Sequence, residues 1–185
     1  MFRAYPICDT TAALRTLAIT PTHRRIGEYH ASLADFAKRG VKHETAVRAA
    51  FQALLADCTA LVTKGRADKW KLVPEYSLKT KGGAKITPDR ALLDSFRLMH
   101  GLWEAKDTAD DLDKQTTKKF KLGYPRDNIL FQPPTRAVLV QDGERALDLD
   151  IEKPVHLVTV LQDFFEYQAL DAGAVPESLR RRGDH

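Results

Sequence analysis

The segment HGLWEAKD, residues 100–107, places a glutamate and a lysine two positions apart in a run that otherwise has the composition of a buried strand. Charged groups are costly to bury without partners, so Glu104 and Lys106 need a polar environment. Because a strand alternates its side chains, both would lie on one face while Trp103 and Ala105 point into the core. The pattern predicts a polar site built on a strand.

A second carboxylate is available on the preceding strand. The segment ALLDSFRLMHGLWEAKD predicts strands over about 91–98 and 102–107, joined by a three-residue loop that ends in glycine. In that register Asp94 lies opposite Lys106 and diagonal to Glu104. Two carboxylates on one face offer hard oxygen ligands to Mg²⁺, and a nearby lysine can hold a water or offset charge on a phosphate. The chemistry predicted is metal-assisted phosphodiester hydrolysis.

Asp89 is the alternative second carboxylate. Pro88 and Asp89 stand in a loop marked by glycine and proline, where an aspartate can simply be a turn residue. The separation of Asp89 from Glu104 along the chain would also suit a metal site. We expect Asp94 because the predicted hairpin puts it beside Glu104 and Lys106, and Asp89 is kept as the alternative.

The elements that must position these residues follow from periodicity and capping signals. Helices are predicted over about 22–38, 43–63, 108–122 and 154–169, with Thr108 as the cap of the third. Around residues 70–78 the pattern predicts an edge strand or two short strands. Further strands are predicted at the two segments above, over 128–132, and over 136–151 as a hairpin that turns at Asp142 and Gly143. This order predicts an α+β fold with a central mixed β-sheet flanked by helices.

The motif and its surroundings resemble a known group of enzymes. Asp94, followed after nine residues by Glu104-Ala105-Lys106, resembles the D…(D/E)xK signature of the PD-(D/E)XK nuclease superfamily, in its Mrr-like branch. Over about residues 22–168, including the WEAKD and GYPRDNI stretches, the chain resembles the N-terminal nuclease domain of the type ISP restriction–modification enzymes. Those are long single chains that also carry translocase, adenine methyltransferase and target-recognition parts.

The resemblance implies a restriction-endonuclease-like core that cleaves double-stranded DNA with Mg²⁺, for which Mn²⁺ would substitute. It makes Asp94, Glu104 and the backbone carbonyl of Ala105 the metal ligands, and Lys106 the catalytic lysine. It also implies helicase or translocase and adenine methyltransferase domains as partners in a full-length protein.

Three further residues are carried over from the same resemblance. Glu44 matches an acidic residue on the first core helix of such nucleases; its partner is either Arg48, one turn on, or a site group such as Lys106 or a metal-bound water. Gln115 and Lys119, one turn apart on the third helix, are expected to lean over the site and contact the phosphate.

Composition narrows the function classes. A chain of 185 residues with 43% hydrophobic residues can form one core, and we expect an extension over 1–21, a nuclease domain over 22–170 and a tail or linker over 171–185. We expect no signal peptide, no membrane span and a cytoplasmic location. Walker, GxGxxG, GxSxG and HExxH motifs are absent, so no ATP site is expected, and the cysteines and histidines lack metal-ligand spacing.

The charge distribution leaves two interpretations open. The net charge is +4, and most of the positive charge falls between Lys64 and Arg126. Such a section would attract a polyanion such as DNA, or it is an ordinary solvated surface rich in lysine. Two other functions stay open as well: an inactive nuclease-fold module that binds DNA or acts as a scaffold, and a nuclease of DNA repair or RNA processing.

Overall fold

The structure is a computed structural model that describes residues 16–40, 44–80, 82–107 and 111–168. It contains four helices and eight strands in the described part of the chain. The helices are α1 (Arg24–Lys38), α2 (Glu44–Val62), α3 (Leu112–Lys121) and α4 (Pro154–Glu166). The strands are β1 (Lys71–Pro74), β2 (Leu78–Lys79), β3 (Lys85–Ile86), β4 (Arg90–Leu93), β5 (Met99–Ala105), β6 (Asn128–Gln132), β7 (Arg136–Gln141) and β8 (Glu144–Asp150).

Six of the strands form one mixed sheet in the order β1-β4-β5-β6-β7-β8. Every pair is antiparallel except β5 and β6, which run parallel. A parallel pair needs a crossover connection, and the segment that contains α3 supplies it. The strand that contains Pro74 lies at the sheet edge, as predicted, because proline cannot donate a ladder hydrogen bond there. Strands β2 and β3 form a separate two-stranded sheet.

One face of the sheet packs against α1, α2 and α4. Helix α2 buries Phe51, Leu55 and Cys58 in this cluster, on the stripe that its periodicity predicts. By length and composition alone, its segment Thr45–Val62 could also cross a membrane. A core helix meets the same criterion, and the buried stripe of α2 is part of the main hydrophobic cluster.

The opposite face of the sheet carries a smaller cluster, covered by α3 and by the β2–β3 hairpin. Its sheet residues are Ala91, Leu93, Leu102, Ile129, Phe131, Val138 and Val140. Helix α3 contributes Leu112, and β3 contributes Ile86. This face also carries Glu104, because Glu104 and Leu102 have the same parity along β5.

The β4–β5 connection differs from the predicted one. The turn falls at residues 94–98, and β5 already begins at Met99, so residues 99–101 are strand and not loop. Leu93 pairs with Met99 and Leu92 with Gly101, which leaves His100 as the extra residue of a bulge. The predicted register is therefore wrong. Asp94 uses its carboxylate to fold the turn, which a pattern of alternating residues does not reveal.

Other predicted boundaries are close to those observed. The β7–β8 turn is confirmed at Asp142 and Gly143, whose φ angles of 50° and 86° suit a tight hairpin. Helix α3 is capped by Asp111, whose side chain accepts a hydrogen bond from the Lys114 amide at 3.1 Å. The predicted cap, Thr108, lies outside the described residues.

The packed part of the chain begins before the expected boundary at residue 22. Leu17 and Ile19 are buried in the main cluster, at 0% and 3% exposure. The Leu17 amide donates to Glu166 at 2.8 Å, and the Gln162 side chain donates to the Ile19 carbonyl at 3.2 Å. Part of the predicted extension is thus a strap across α4. The tail over 171–185 lies outside the described residues.

Candidate functional site

Strand β5 directs Glu104 away from the main core. Its neighbours Trp103 and Ala105 point to the opposite face, as predicted, and Trp103 stacks on Phe51 of α2 with ring centroids 5.8 Å apart. The fully buried indole of Trp103 fixes the height and rotation of the strand. Glu104 is therefore held by rigid structure and not by a flexible loop.

Glu104 is deeply buried and is paired on one oxygen. Its side chain is 3% exposed, and Oε2 lies 3.2 Å from the Lys106 ammonium and 2.9 Å from that of Lys119 on α3. Its other oxygen, Oε1, is buried with no hydrogen-bond partner among the described residues. A buried carboxylate oxygen without a partner carries a free-energy penalty that a ligand would remove.

Asp89, and not Asp94, lies beside Glu104. Arg90 pairs with Trp103, so the residue before Arg90 is next to Glu104 and has the same parity. Asp89 accepts a hydrogen bond from the Ala105 amide at 2.9 Å, and its second oxygen pairs with the Arg48 guanidinium on α2. Asp89, the alternative metal ligand, is thereby bonded to both strand β5 and helix α2.

Asp94 lies at the other end of β5. Its carboxylate accepts hydrogen bonds from the amides of Phe96 at 2.8 Å and Leu98 at 2.9 Å, and contacts His100 Nε2 at 3.1 Å. Glu104 lies five positions after Met99, about 17 Å at the usual strand rise. The prediction that Asp94 shares the face of Glu104 and Lys106 is wrong, because the turn forms five residues earlier than expected.

The electrostatics of Asp94 also belong to a turn. Burial acts to raise its pKa, but the hydrogen bonds from His100, Leu98 and Phe96 together outweigh it, and the pKa of Asp94 lies below its usual value. His100, which was predicted as a turn residue, is a strand residue whose ring stacks on Trp70 at 4.2 Å. This cluster stabilises the hairpin end.

Helix α3 covers the site and brings Lys119 to it, as expected from the resemblance. The Lys119 ammonium reaches Glu104 and also donates to the Tyr124 hydroxyl at 2.8 Å. Gln115 lies one turn before Lys119 and is half-buried. Lys119 is thus brought to the site, and Gln115 lies on the same stretch of helix.

Tyr124 is a site residue that the sequence did not single out. Burial is the largest cause that raises the pKa of Tyr124, followed by the charge of Glu104 and by hydrogen bonding with Glu104. The Tyr124 hydroxyl therefore stays neutral. The hydroxyl also donates to the Thr87 carbonyl at 3.4 Å, which links the end of α3 to the segment that leads into Asp89. A single tyrosine after a helix forms no recognisable motif with other residues. Only its position in the GYPRDNI stretch, which is part of the family resemblance, could have indicated it.

The remaining predicted residues are placed as follows. The Lys106 amide donates to the Gln132 carbonyl at 3.0 Å, which continues the β5–β6 pairing past Ala105 and holds Lys106 in the strand direction. Glu44 is the first residue of α2, and its side chain lies outside the described part. Arg48, one of the alternative partners for Glu44, pairs with Asp89.

The donor set fits a hard cation such as Mg²⁺. Asp89 and Glu104 provide carboxylate oxygens next to the Ala105 backbone, and Oε1 of Glu104, which no described residue contacts by a hydrogen bond, is available to bind a cation. Mg²⁺ typically takes one or two protein carboxylates and completes its shell with waters and phosphate oxygens. Among the described residues, no group of three or more His, Cys, Asp or Glu side chains able to hold a metal occurs.

The site as a whole suits an anionic ligand. Three cations, Arg48, Lys106 and Lys119, pair with the two carboxylates of Asp89 and Glu104, and the Arg90 guanidinium donates to the Asp89 carbonyl. A phosphate group placed there would meet charge of the opposite sign in a partly desolvated environment.

Comparisons with known proteins support the fold. No protein-family model and no curated protein matches the chain. Among solved structures, a cryo-EM structure of a DrdV–DNA complex matches with a TM-score of 0.69 and 38% sequence identity. The match covers 78% of this chain and 14% of that chain. The predicted α+β class, with a six-stranded mixed sheet flanked by helices and consistent with a restriction-endonuclease-like core, is confirmed.

Proposed function

We propose that this chain is a Mg²⁺-dependent DNA endonuclease domain. The observation that carries the proposal is the meeting of Asp89, Glu104 and Lys106 at one end of the β4–β5 pair, with a buried carboxylate oxygen that has no partner within the described part of the chain. The same architecture at 38% identity occurs in the DrdV–DNA complex, which supports DNA as the substrate.

Asp89, Glu104 and the carbonyl of Ala105 would hold the metal. We replace the predicted ligand Asp94 by Asp89, because Asp94 is engaged in the distant turn. When bound, Mg²⁺ would polarise a phosphoryl oxygen and favour deprotonation of the attacking water. Asp89 is already oriented for this role by the Ala105 amide and by Arg48.

Lys106 is the candidate catalytic lysine. Its side chain is 10% exposed and its ammonium is anchored to Glu104, so it can hold a water and offset charge that develops on the phosphate. Lys119 would contact the phosphate from α3, with Gln115 one turn away on the same helix. Before the substrate arrives, Lys119 stabilises the buried Glu104 carboxylate.

The larger context is also a proposal. The chain spans 14% of the length of the protein in the DrdV–DNA complex, so a nuclease domain within a larger protein is consistent with the match. We propose an Mrr-like domain of a type ISP restriction–modification enzyme, acting in the cytoplasm with translocase and adenine methyltransferase domains.

Nicking of supercoiled plasmid by the 185-residue chain tests the activity. We expect nicking with Mg²⁺ or Mn²⁺, none with EDTA, and none from Glu104→Gln or Lys106→Met, since each removes a group that contacts the reacting phosphate or its metal. Lys153→Gln, on the opposite helix layer, is the matched charge control.

A different result would favour the second candidate. Both carboxylates are paired with cations, which also suits a module that binds DNA without cutting it. If the wild-type chain binds duplex DNA but shows neither nicking nor calorimetric binding of Mn²⁺, the endonuclease proposal fails and the binding module is favoured.

A further inference from the structure

The β2–β3 hairpin places two lysines directly opposite each other. Lys79 pairs with Lys85 across the two-stranded sheet, and both are exposed. Directly opposed side chains have Cβ atoms about 4.5–5.5 Å apart, and like charges in this position destabilise a hairpin. Neither lysine forms an ion pair with a residue in the described part of the chain. The fold therefore tolerates a local repulsion that a bound anion would relieve.

The inner side of the hairpin fixes this pair in place. Leu78 and Ile86, the other cross-strand pair, pack on the cluster that shares the sheet face with Glu104. Because side chains alternate, Lys79 and Lys85 must project outward. At the hairpin turn, the Thr80 side chain lies near Gly123, since a Cβ added to this glycine would be 2.9 Å from it.

The same hairpin leads directly into the candidate site. Asp89 lies four positions after Lys85, a reach of at most about 14 Å for extended chain. That length corresponds to about four steps of one DNA strand at ~3.4 Å each. The Tyr124 hydroxyl bonds the intervening Thr87 carbonyl, so this short segment is held against α3. An anion bound by the lysine pair would therefore lie a few nucleotides from the reacting phosphate.

We propose that Lys79 and Lys85 form a clamp for the DNA phosphate backbone beside the active site. The proposal rests on the proposed function for the identity of the polyanion. Two ammonium groups that repel each other gain more from a shared anionic ligand than isolated surface lysines, because the ligand also removes their repulsion.

Salt-dependent binding to a short DNA duplex in EDTA tests the clamp. The double variant Lys79→Gln/Lys85→Gln should lower the slope of log K against log [salt] by about 1.8, since each phosphate contact contributes about 0.9. Its affinity should be about sixtyfold weaker than wild type at 0.1 M salt and should converge with wild type near 1 M. The control Lys38→Gln/Lys153→Gln removes two exposed charges on the helix layer and should leave the slope unchanged.

The charge reversal Lys79→Glu separates binding from folding. It replaces the repulsion by an opposite-charge pair, so the melting temperature should stay equal or rise while DNA binding weakens. A variant that is less stable, or equally stable with unweakened binding, overturns the clamp. So does an unchanged salt slope in the double glutamine variant.

The nuclease proposal and the clamp fail in different ways. If the wild-type chain does not nick DNA but the double variant has the lower salt slope predicted above, the nuclease is refuted and the clamp is supported. If the wild-type chain nicks DNA and the double variant binds DNA with the wild-type salt slope, the nuclease is supported and the clamp is overturned.

Discussion

The two ends of strand β5 each carry an aspartate, and they differ in what the carboxylate does. At the turn end, the Asp94 carboxylate accepts hydrogen bonds from the amides of Phe96 and Leu98 and contacts His100, all within six residues. At the other end, Asp89 reaches across to Ala105 and to Arg48, 16 and 41 residues away. An aspartate with local partners folds a turn, whereas one held by distant elements orients a site.

The neighbours of the two aspartates reinforce this difference. Asp94 contacts a histidine whose ring is stacked on Trp70, and Phe96 and Leu98 beside it are exposed at 79% and 62%. Asp89 stands next to a buried glutamate with an oxygen that has no described partner. The second environment thus offers a cation a buried carboxylate oxygen that no described residue pairs with.

The largest expected effect comes from exchanging the two aspartates for asparagine. Asp89→Asn should lower metal-dependent nicking by about a thousandfold, because a metal ligand supplies several kcal/mol of transition-state stabilisation. Asp94→Asn should leave the rate near that of wild type. Plasmid nicking by both variants, with folding checked by circular dichroism, measures this; if Asp94→Asn is the inactive variant, the assignment of Asp89 is wrong.

A smaller effect is expected on stability at the turn end. Asp94→Ala removes the acceptor for two amides and the partner of His100, and should lower the free energy of unfolding by about 1 to 2 kcal/mol. Urea unfolding at pH 7 measures the change. An unchanged midpoint would mean that water replaces these bonds without loss.

The same variant should alter the pH dependence of stability. The pKa of Asp94 is lowered by folding, so its contribution is complete above the unfolded value of about 3.9 and is lost as the pH falls below it. Wild type should therefore lose more stability than Asp94→Ala between pH 5 and pH 3. Parallel curves in urea titrations over this range would contradict the role of the carboxylate.

The smallest expected effect concerns Lys119, whose ammonium pairs with the Glu104 carboxylate. Lys119→Met removes a charge that competes with a metal, and should tighten Mn²⁺ binding by at least about fivefold, since unit charges ~4 Å apart interact by about 1 kcal/mol even in a water-like dielectric. Lys114→Met removes an exposed lysine of the same helix and is the control. Calorimetry compares the two, and equal affinities would show that Lys119 does not oppose the metal.

The fold could be predicted largely because its elements carry local signals. The stripe of α2, the Asp142–Gly143 turn and the alternation of Trp103, Glu104 and Ala105 depend on residues close in the chain. Period and turn chemistry therefore sufficed for them. The buried Leu17 and Ile19 were missed because two isolated apolar residues in an extended strap have no period.

The sequence by itself determined the α+β architecture and the pairing of Glu104 with Lys106, because strand alternation places residues two apart on one face. Only the tertiary structure decided which aspartate joins them. The Asp94 carboxylate closes its turn five residues before the predicted loop, and one bulge then sets the register that brings Asp89 to Glu104. Register depends on hydrogen bonds between segments, which no single segment encodes.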